Sequence, residues 1–210
     1  MAERQRPQAR NFYGVAPFIY DHYPQYWGIH EYDADKCVAF KEIDGEWGIF
    51  GNFADTPLVL EGITFNKSED LFQMMKFKDP AVLANIYAGI TARGKRSGNK
   101  KMCARSYEKE YRRADWGRMI VDAMKFCIVQ KYQQSEVFRN KLEQSRGCFI
   151  VEAQSKGPNT WGAKLTDGKY RGSNLMGRLL MELRDNNGNL EYTLPEDAFE
   201  FIKILKELKK

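Results

Sequence analysis

The chain has 210 residues and a mass of 24.4 kDa, enough for one large domain or two small ones around a sizeable core. Its composition, 43% hydrophobic and 29% charged, is that of a globular protein, and no apolar run is long enough to span a membrane. The 33 Lys and Arg against 28 Asp and Glu leave a net charge of +5, a mild bias towards anionic partners that does not separate nucleic acid from a small phosphorylated ligand.

The opening MAERQRPQAR is basic and polar with no apolar segment behind it. It reads as a flexible tail over residues 1–10 rather than a signal peptide, which together with unpaired cysteines points to the cytoplasm. Residues 12–40 are rich in Tyr, Phe and Trp and broken by Pro and Gly, so irregular or short-strand structure is expected there. His22 and His30 fall in this region, where a structural role fits two isolated histidines. LVLEGITF reads as a hairpin turning at Glu61–Gly62. A helix is predicted next, capped by Ser68, with Leu71, Phe72, Met75 and Phe77 on its apolar face. A second helix is predicted from Pro80, acceptable at a first helical position.

TARGKRSGNKK, 91–101, reads as a charged connector. Asp115 is the expected cap of a long helix whose Ile120, Met124, Cys127 and Ile128 face the core. A further helix is predicted over 135–145 and a short strand in CFIVEA, 148–153, ending at an acid. GPNTWGAKLTDGKYRGSN is too rich in Gly and polar residues to predict regular structure. It leads into LMGRLLMELR, where Leu175, Leu179 and Leu183, with Met176 and Leu180, make an apolar helical stripe. Thr193 and Glu196 have the spacing of a capping box for a last helix. The expected fold is α+β: a predominantly helical single domain over residues 11–210 with a small antiparallel sheet.

Cys37, Cys103, Cys127 and Cys148 include no CxxC pair, which favours free thiols and argues against structural zinc. No metal or cofactor is called for.

The candidate chemistry centres on Glu69 and Lys76. Seven residues is close to two helical turns, and Gln73 falls between them, so the three form a polar column. On a solvated helix the column would be surface charge and nothing more. Other segments supply company for it. GNFAD places Asn52 and Phe53 upstream, and Glu152 ends an apolar strand where a carboxylate can enter a cleft. Trp161 and Gly162 sit in a glycine-rich loop, where an indole is either a stacking platform for a base or a core residue. RGSNLMG, containing Asn174, either turns backbone N–H groups towards an anion or lets the last helices pack closely. Arg93, Lys95 and Arg96 are available to meet phosphates.

Five segments resemble the NADAR family, also called YbiA-like, in the family's order: GNFAD, GITFNKSEDLFQMMKF, DWGRMIVDAMKFCIVQKY, IVEAQSKGPNTWGAKL and GSNLMGRLLMELR. They span roughly residues 36–185. The resemblance implies a YbiA-like fold and a hydrolase that cleaves N-glycosidic bonds to a phosphorylated ribose. Within the family such activity is described on phosphoribosylamino-pyrimidine intermediates of riboflavin synthesis, and on ADP-ribose attached to guanine bases or small molecules. The implied partner is therefore a phosphorylated ribosyl or ADP-ribosyl small molecule, or ADP-ribosylated DNA or RNA. Carried over by position, Glu69 matches the family's acid and Lys76 its lysine. Asn52, Trp116, Glu152, Trp161 and Asn174 match pocket positions, and Gly162, Gly172 and Gly177 match supporting turns. In place of the Asp that many members carry shortly after the Trp-Gly pair stand Ala163 and Lys164. A non-catalytic ADP-ribose or nucleotide-binding module, and a nucleic-acid-binding domain, are the alternative classes.

Overall fold

Within residues 15–208, which the computed structural model describes, helices dominate and the strands are short, the expected α+β balance. In chain order the elements are α1 (Pro17–His22), β1 (His30–Asp33), β2 (Cys37–Phe40), β3 (Leu58–Leu60), β4 (Ile63–Phe65), α2 (Ser68–Met74), α3 (Pro80–Tyr87), α4 (Lys100–Tyr111), α5 (Trp116–Gln134), α6 (Glu136–Gln144), β5 (Phe149–Glu152), β6 (Lys164–Thr166), β7 (Lys169–Gly172), α7 (Leu175–Asp185) and α8 (Glu200–Glu207). They fall into two compact units. The first takes the chain up to Gly51 and again from Val137 to Asn189; the second takes Asn52 to Glu136 and the chain from Leu190 onward. The expected tail over 1–10 lies outside the described residues.

In the first unit, β7 pairs antiparallel with both β1 and β6. The β6–β7 hairpin corrects the expectation of irregular structure over 157–174. Asp167 and Gly168 both have positive φ, 51° and 72°, the backbone a two-residue hairpin turn requires. Asp-Gly between KLT and KYRG was the signal for it, hidden by the glycines around it. β2 and β5 form a separate parallel pair, in register from Cys37 opposite Phe149 to Phe40 opposite Glu152, in addition to the antiparallel sheets. Parallel pairing needs a long crossover, which the chain between residues 40 and 149 supplies. Over β5 lies α7, with Leu175, Met176, Leu179, Leu180 and Leu183 all buried, the predicted stripe. Gly177 permits this approach, because a Cβ there would sit 2.1 Å from the Ile150 carbonyl oxygen. The short α1, opened by Pro17, was not anticipated in the aromatic N-terminal region.

In the second unit, the β3–β4 hairpin turns at Glu61 and Gly62, both at positive φ, as the sequence predicts. Asp79 caps α3 by accepting from the Val82 N–H at 2.9 Å, and Pro80 takes the first helical position. The segment read as a connector gives way at Lys100 to α4, whose first turn is capped by Asn99 and whose Cys103, Ala104 and Tyr107 are buried. Asp115 stands at the N-cap of α5, but its side chain makes no capping bond. Arg113 Nε and Nη2 donate to it instead, at 2.6 and 2.8 Å. Met124, Cys127 and Ile128 are buried as expected, while Ile120 is half-buried. The Thr193–Glu196 capping box does not form: Glu196 opens a 3₁₀ turn behind Pro195, and α8 starts after Phe199 with no side-chain cap.

All four cysteines are free, with Cys103 and Cys127 buried. Among the described residues no helix is long and apolar enough to cross a membrane, and no group of three or more His, Cys, Asp or Glu is placed to hold a metal ion.

Candidate active site

The site is built on α2, which is shorter and more deeply buried than the sequence suggests. Every residue from Ser68 to Met74 is buried, so the helix has no solvated face. Ser68 is not its cap: the N-cap position is Lys67, and no side chain caps the helix. The Ser68 hydroxyl reaches back to Asn52, 3.3 Å from its carbonyl and 3.2 Å from Oδ1. The Glu69 N–H donates to the same carbonyl at 3.0 Å. Asn52 therefore serves as a clamp on the first turn, and its Nδ2 lies 3.1 Å from Met124 Sδ. Past Met74 the helix tightens: the Lys76 N–H bonds the Gln73 carbonyl and Phe77 that of Met74. Met75 and Phe77 are buried, but beyond the helix rather than on its face.

Glu69, Gln73 and Lys76 are 4%, 1% and 9% exposed, which removes them from the class of surface charges. Gln73 Nε2 donates to Glu69 Oε1 at 2.8 Å, and Gln73 Oε1 is a buried acceptor with no hydrogen-bond partner among the described residues. Each charged end of the column meets an opposite charge from α4. Lys101 Nζ lies 3.0 Å from Glu69 Oε1. Lys76 Nζ donates to Glu108 Oε1 at 2.6 Å. The seven-residue spacing of 69 and 76 on one segment is thus matched by 101 and 108 on the other, with signs reversed.

Aromatic rings close in on the lysines. Lys76 Nζ lies 5.7 Å from the ring centroids of both Phe72 and Trp116, which themselves make an edge contact at 5.2 Å. Lys101 Nζ lies 5.0 Å from the Phe53 ring. Burial lowers the Lys76 pKa; the bond to Glu108 and the Glu108 and Glu69 charges pull it back up, and the net direction is down. Desolvation penalises the ammonium, and a single close carboxylate does not fully restore what water supplied. The arrangement holds an amine nearer its neutral, nucleophilic form than a surface lysine, in the same cluster as a carboxylate.

Asn52, Phe53, Glu69, Gln73, Lys76 and Trp116 thus belong to one contiguous cluster. Arg93, Lys95 and Arg96 do not join it: all three are exposed on the turn after α3, and no hydrogen bond or ion pair links them to Glu69 or Lys76 among the described residues. Lys101 and Glu108 were missed by sequence reasoning. Their spacing repeats that of Glu69 and Lys76, a signal that was available once α4 was seen as a helix.

The remaining candidates lie in the first unit and form a knot of their own. Asn174, at φ 48°, donates from Nδ2 to the Ile150 carbonyl at 2.8 Å and accepts the Glu152 N–H at 3.1 Å. The N–H groups of Ser173, Asn174, Leu175 and Met176 donate to the carbonyls of Asn159, Gly162, Thr160 and Trp161. The start of α7 is therefore filled by its own loop instead of aiming these N–H groups at an anion. Gly162 is wedged against the Glu152 carbonyl, where a Cβ would come within 2.3 Å. A Cβ at Gly172 would meet the Gly162 carbonyl oxygen at 2.4 Å and one at Gly177 that of Ile150 at 2.1 Å, so close packing is what the glycines of RGSNLMG provide, the second of its two readings. Trp161 is half-buried.

Comparison with known proteins places this geometry in context. The NADAR domain family model matches residues 39–186. The N-glycosidase YbiA of Escherichia coli strain K12 is 28% identical over 155 residues, 72% of this chain and 88% of that protein. A riboflavin biosynthesis protein of Vibrio vulnificus is 25% identical over 172 residues, 82% of this chain and 43% of that one. The NMR structure of E. coli YbiA superposes with a TM-score of 0.57 at 26% identity, covering 73% of this chain and 85% of that chain.

Proposed function

Because the chain belongs to the NADAR domain family, we propose that it is a hydrolase of the N-glycosidic bond between a base and a phosphorylated ribose, removing ADP-ribose from guanine in nucleic acid or nucleoside. The observation that carries this reading is the buried Lys76 amine, its pKa lowered by burial, in one cluster with the buried Glu69 carboxylate. The similarity to a protein named as an N-glycosidase supports the bond class.

The chemistry has two demands: positive charge builds at C1 of the sugar, and the departing nitrogen needs a proton. In the proposed sequence the neutral Lys76 amine bonds C1 as the C1–N bond to the base breaks, and Glu69 protonates the departing nitrogen. Glu69 then takes the proton from the new C1–Nζ ammonium and returns it to the ring oxygen as the ring opens, leaving a protonated imine. Water adds to the imine carbon and gives its proton to Glu69. Transfer of the hydroxyl proton to nitrogen and cleavage of the C1–Nζ bond release the sugar aldehyde and restore the amine. Each proton is returned, and no metal or cofactor is needed. Lys101 gives up its pairing with Glu69 when the carboxyl is protonated; half-exposed, it can turn to solvent or to a substrate phosphate.

A second reading rests on the Vibrio vulnificus relative, whose name places it in riboflavin biosynthesis: the leaving group is then the amine of a phosphoribosylamino-pyrimidine. Mass spectrometry of released ADP-ribose and ribose 5-phosphate, with guanine-ADP-ribosylated DNA and the pyrimidine intermediate as rival substrates, decides between them. Release that requires both Glu69 and Lys76 supports the hydrolase. Retention of ADP-ribose without release from either substrate supports a binding module in its place.

A further inference from the structure

A cavity of about 280 Å³ opens in the second unit, lined by Phe53, Asp70, Tyr87, Gly98, Asn99 and Lys100 among others. That volume is at the lower edge for small-molecule sites, and suits one heterocycle with part of its sugar better than a whole dinucleotide. The cavity adjoins the Glu69 cluster through Phe53, whose ring also carries Lys101, the partner of Glu69. Asp70 follows Glu69 in α2, so its side chain leaves the helix about 100° away from that of Glu69.

Asp70 is only 8% exposed, and among the described residues its carboxylate takes one hydrogen bond, from Lys100 Nζ to Oδ2, long at 3.3 Å. Oδ1 takes no hydrogen bond from the described residues. Lys100 is itself shared with Tyr87, its Nζ lying 5.1 Å from the ring centroid. Burial pushes the Asp70 carboxyl up despite the Lys100 charge and hydrogen bond beside it. Asp70 is the one acidic side chain among the described lining residues, beside Lys67 and Lys100. A ring N–H beside an amino group would supply the donors that Asp70 lacks, and Phe53 and Tyr87 offer aromatic wall to a flat ring.

We infer that this cavity receives the base of the substrate, with Asp70 as the residue that selects bases presenting an N–H edge; the inference rests on Glu69 and Lys76 being the cleavage site. It sets the substrate class by the leaving group: amino-substituted heterocycles, of which guanine is one, over those lacking the amino donor.

The test is a ligand-observed NMR titration of the full chain with guanosine and with inosine, which lacks the amino group. Guanosine should bind about tenfold tighter, the effect of leaving one charge-assisted hydrogen bond unmade. Asp70→Asn should bring the two within about twofold of each other. Gly98→Leu serves as an independent variant, because a Cβ at 98 meets no atom within 4 Å and the added side chain can fill the cavity. It should unfold at the wild-type temperature and lose guanosine binding. Equal binding of the two nucleosides, binding of neither, or Gly98→Leu binding as wild type would overturn the inference. Nucleoside binding needs no turnover, so the two ideas fail separately. Preference for guanosine with no sugar release from any substrate sinks the hydrolase alone; sugar release with no such preference sinks the base pocket alone.

Discussion

Glu108 Oε1 accepts a hydrogen bond from Lys76 Nζ at 2.6 Å, and this carboxylate is the strongest influence opposing the burial that lowers the lysine's pKa. The pair governs how much of Lys76 is free amine. Glu108→Gln keeps a hydrogen-bond acceptor but removes the charge, so the Lys76 pKa should fall further. If the neutral amine is the reactive form, activity rises with pH as Lys76 loses its proton. The rising limb of log kcat/KM against pH should therefore move to lower pH in Glu108→Gln. A limb that stays in place or moves up would mean that Lys76 acts as an ammonium.

Lys131 carries a separate pH signature in stability. Fully buried within α5, it has its pKa lowered by burial to about 7. Below that pH both the folded and unfolded chains hold the proton, and the cost of burying the ammonium is present in full. Between about 7 and the ordinary lysine value only the unfolded chain holds it, so stability rises with pH through that window. Lys131→Met should be more stable than wild type by roughly 2–4 kcal/mol below the window, with the difference shrinking towards pH 10. Urea unfolding at several pH values measures it, and a difference independent of pH across the window would show that Lys131 holds its proton in the folded chain as in the unfolded one, its pKa not lowered by burial.

Gly177 is required by the approach of α7 to β5. Gly177→Ala drives a methyl into the Ile150 carbonyl, which a Cβ would approach to 2.1 Å. The loss should be about 3 kcal/mol or more. Gly94→Ala is the control: its φ is +71°, but a Cβ meets nothing within 4 Å, so only the backbone penalty of about 1 kcal/mol applies. Equal losses for the two variants, by thermal or urea unfolding, would contradict the packing account.

The sequence was most readable where one local rule decides the outcome. Glu61–Gly62 sits between two apolar runs and turns as such pairs do, Pro80 opens a helix behind Asp79, and the Leu175–Leu179–Leu183 stripe lies buried against β5. It misled where polar residues are used for packing. The lysines and glycines of 91–101 suggested a connector, yet Lys100 and Lys101 open α4 and bond inward to Asp70 and Glu69. Ser68 and Asp115 are of cap-forming type, but Ser68 falls one residue past the N-cap position and bonds the distant Asn52, while Asp115 at its N-cap position is claimed by the nearby Arg113. The Glu69–Lys76 column was visible from spacing alone. That it is buried, and that α4 mirrors it in charge, depends on contacts between residues more than 30 positions apart, which periodicity does not encode.

The most direct measurement is borohydride trapping under turnover, followed by peptide mapping. Wild-type protein with guanine-ADP-ribosylated DNA should accumulate a reduced ribosyl adduct on Lys76, absent from Lys76→Ala. In Glu69→Gln, where the departing nitrogen lacks its proton donor, the adduct should be strongly diminished. Release of ADP-ribose at the wild-type rate with no adduct at Lys76 would contradict the covalent role of the lysine and leave it as a charge that holds the substrate.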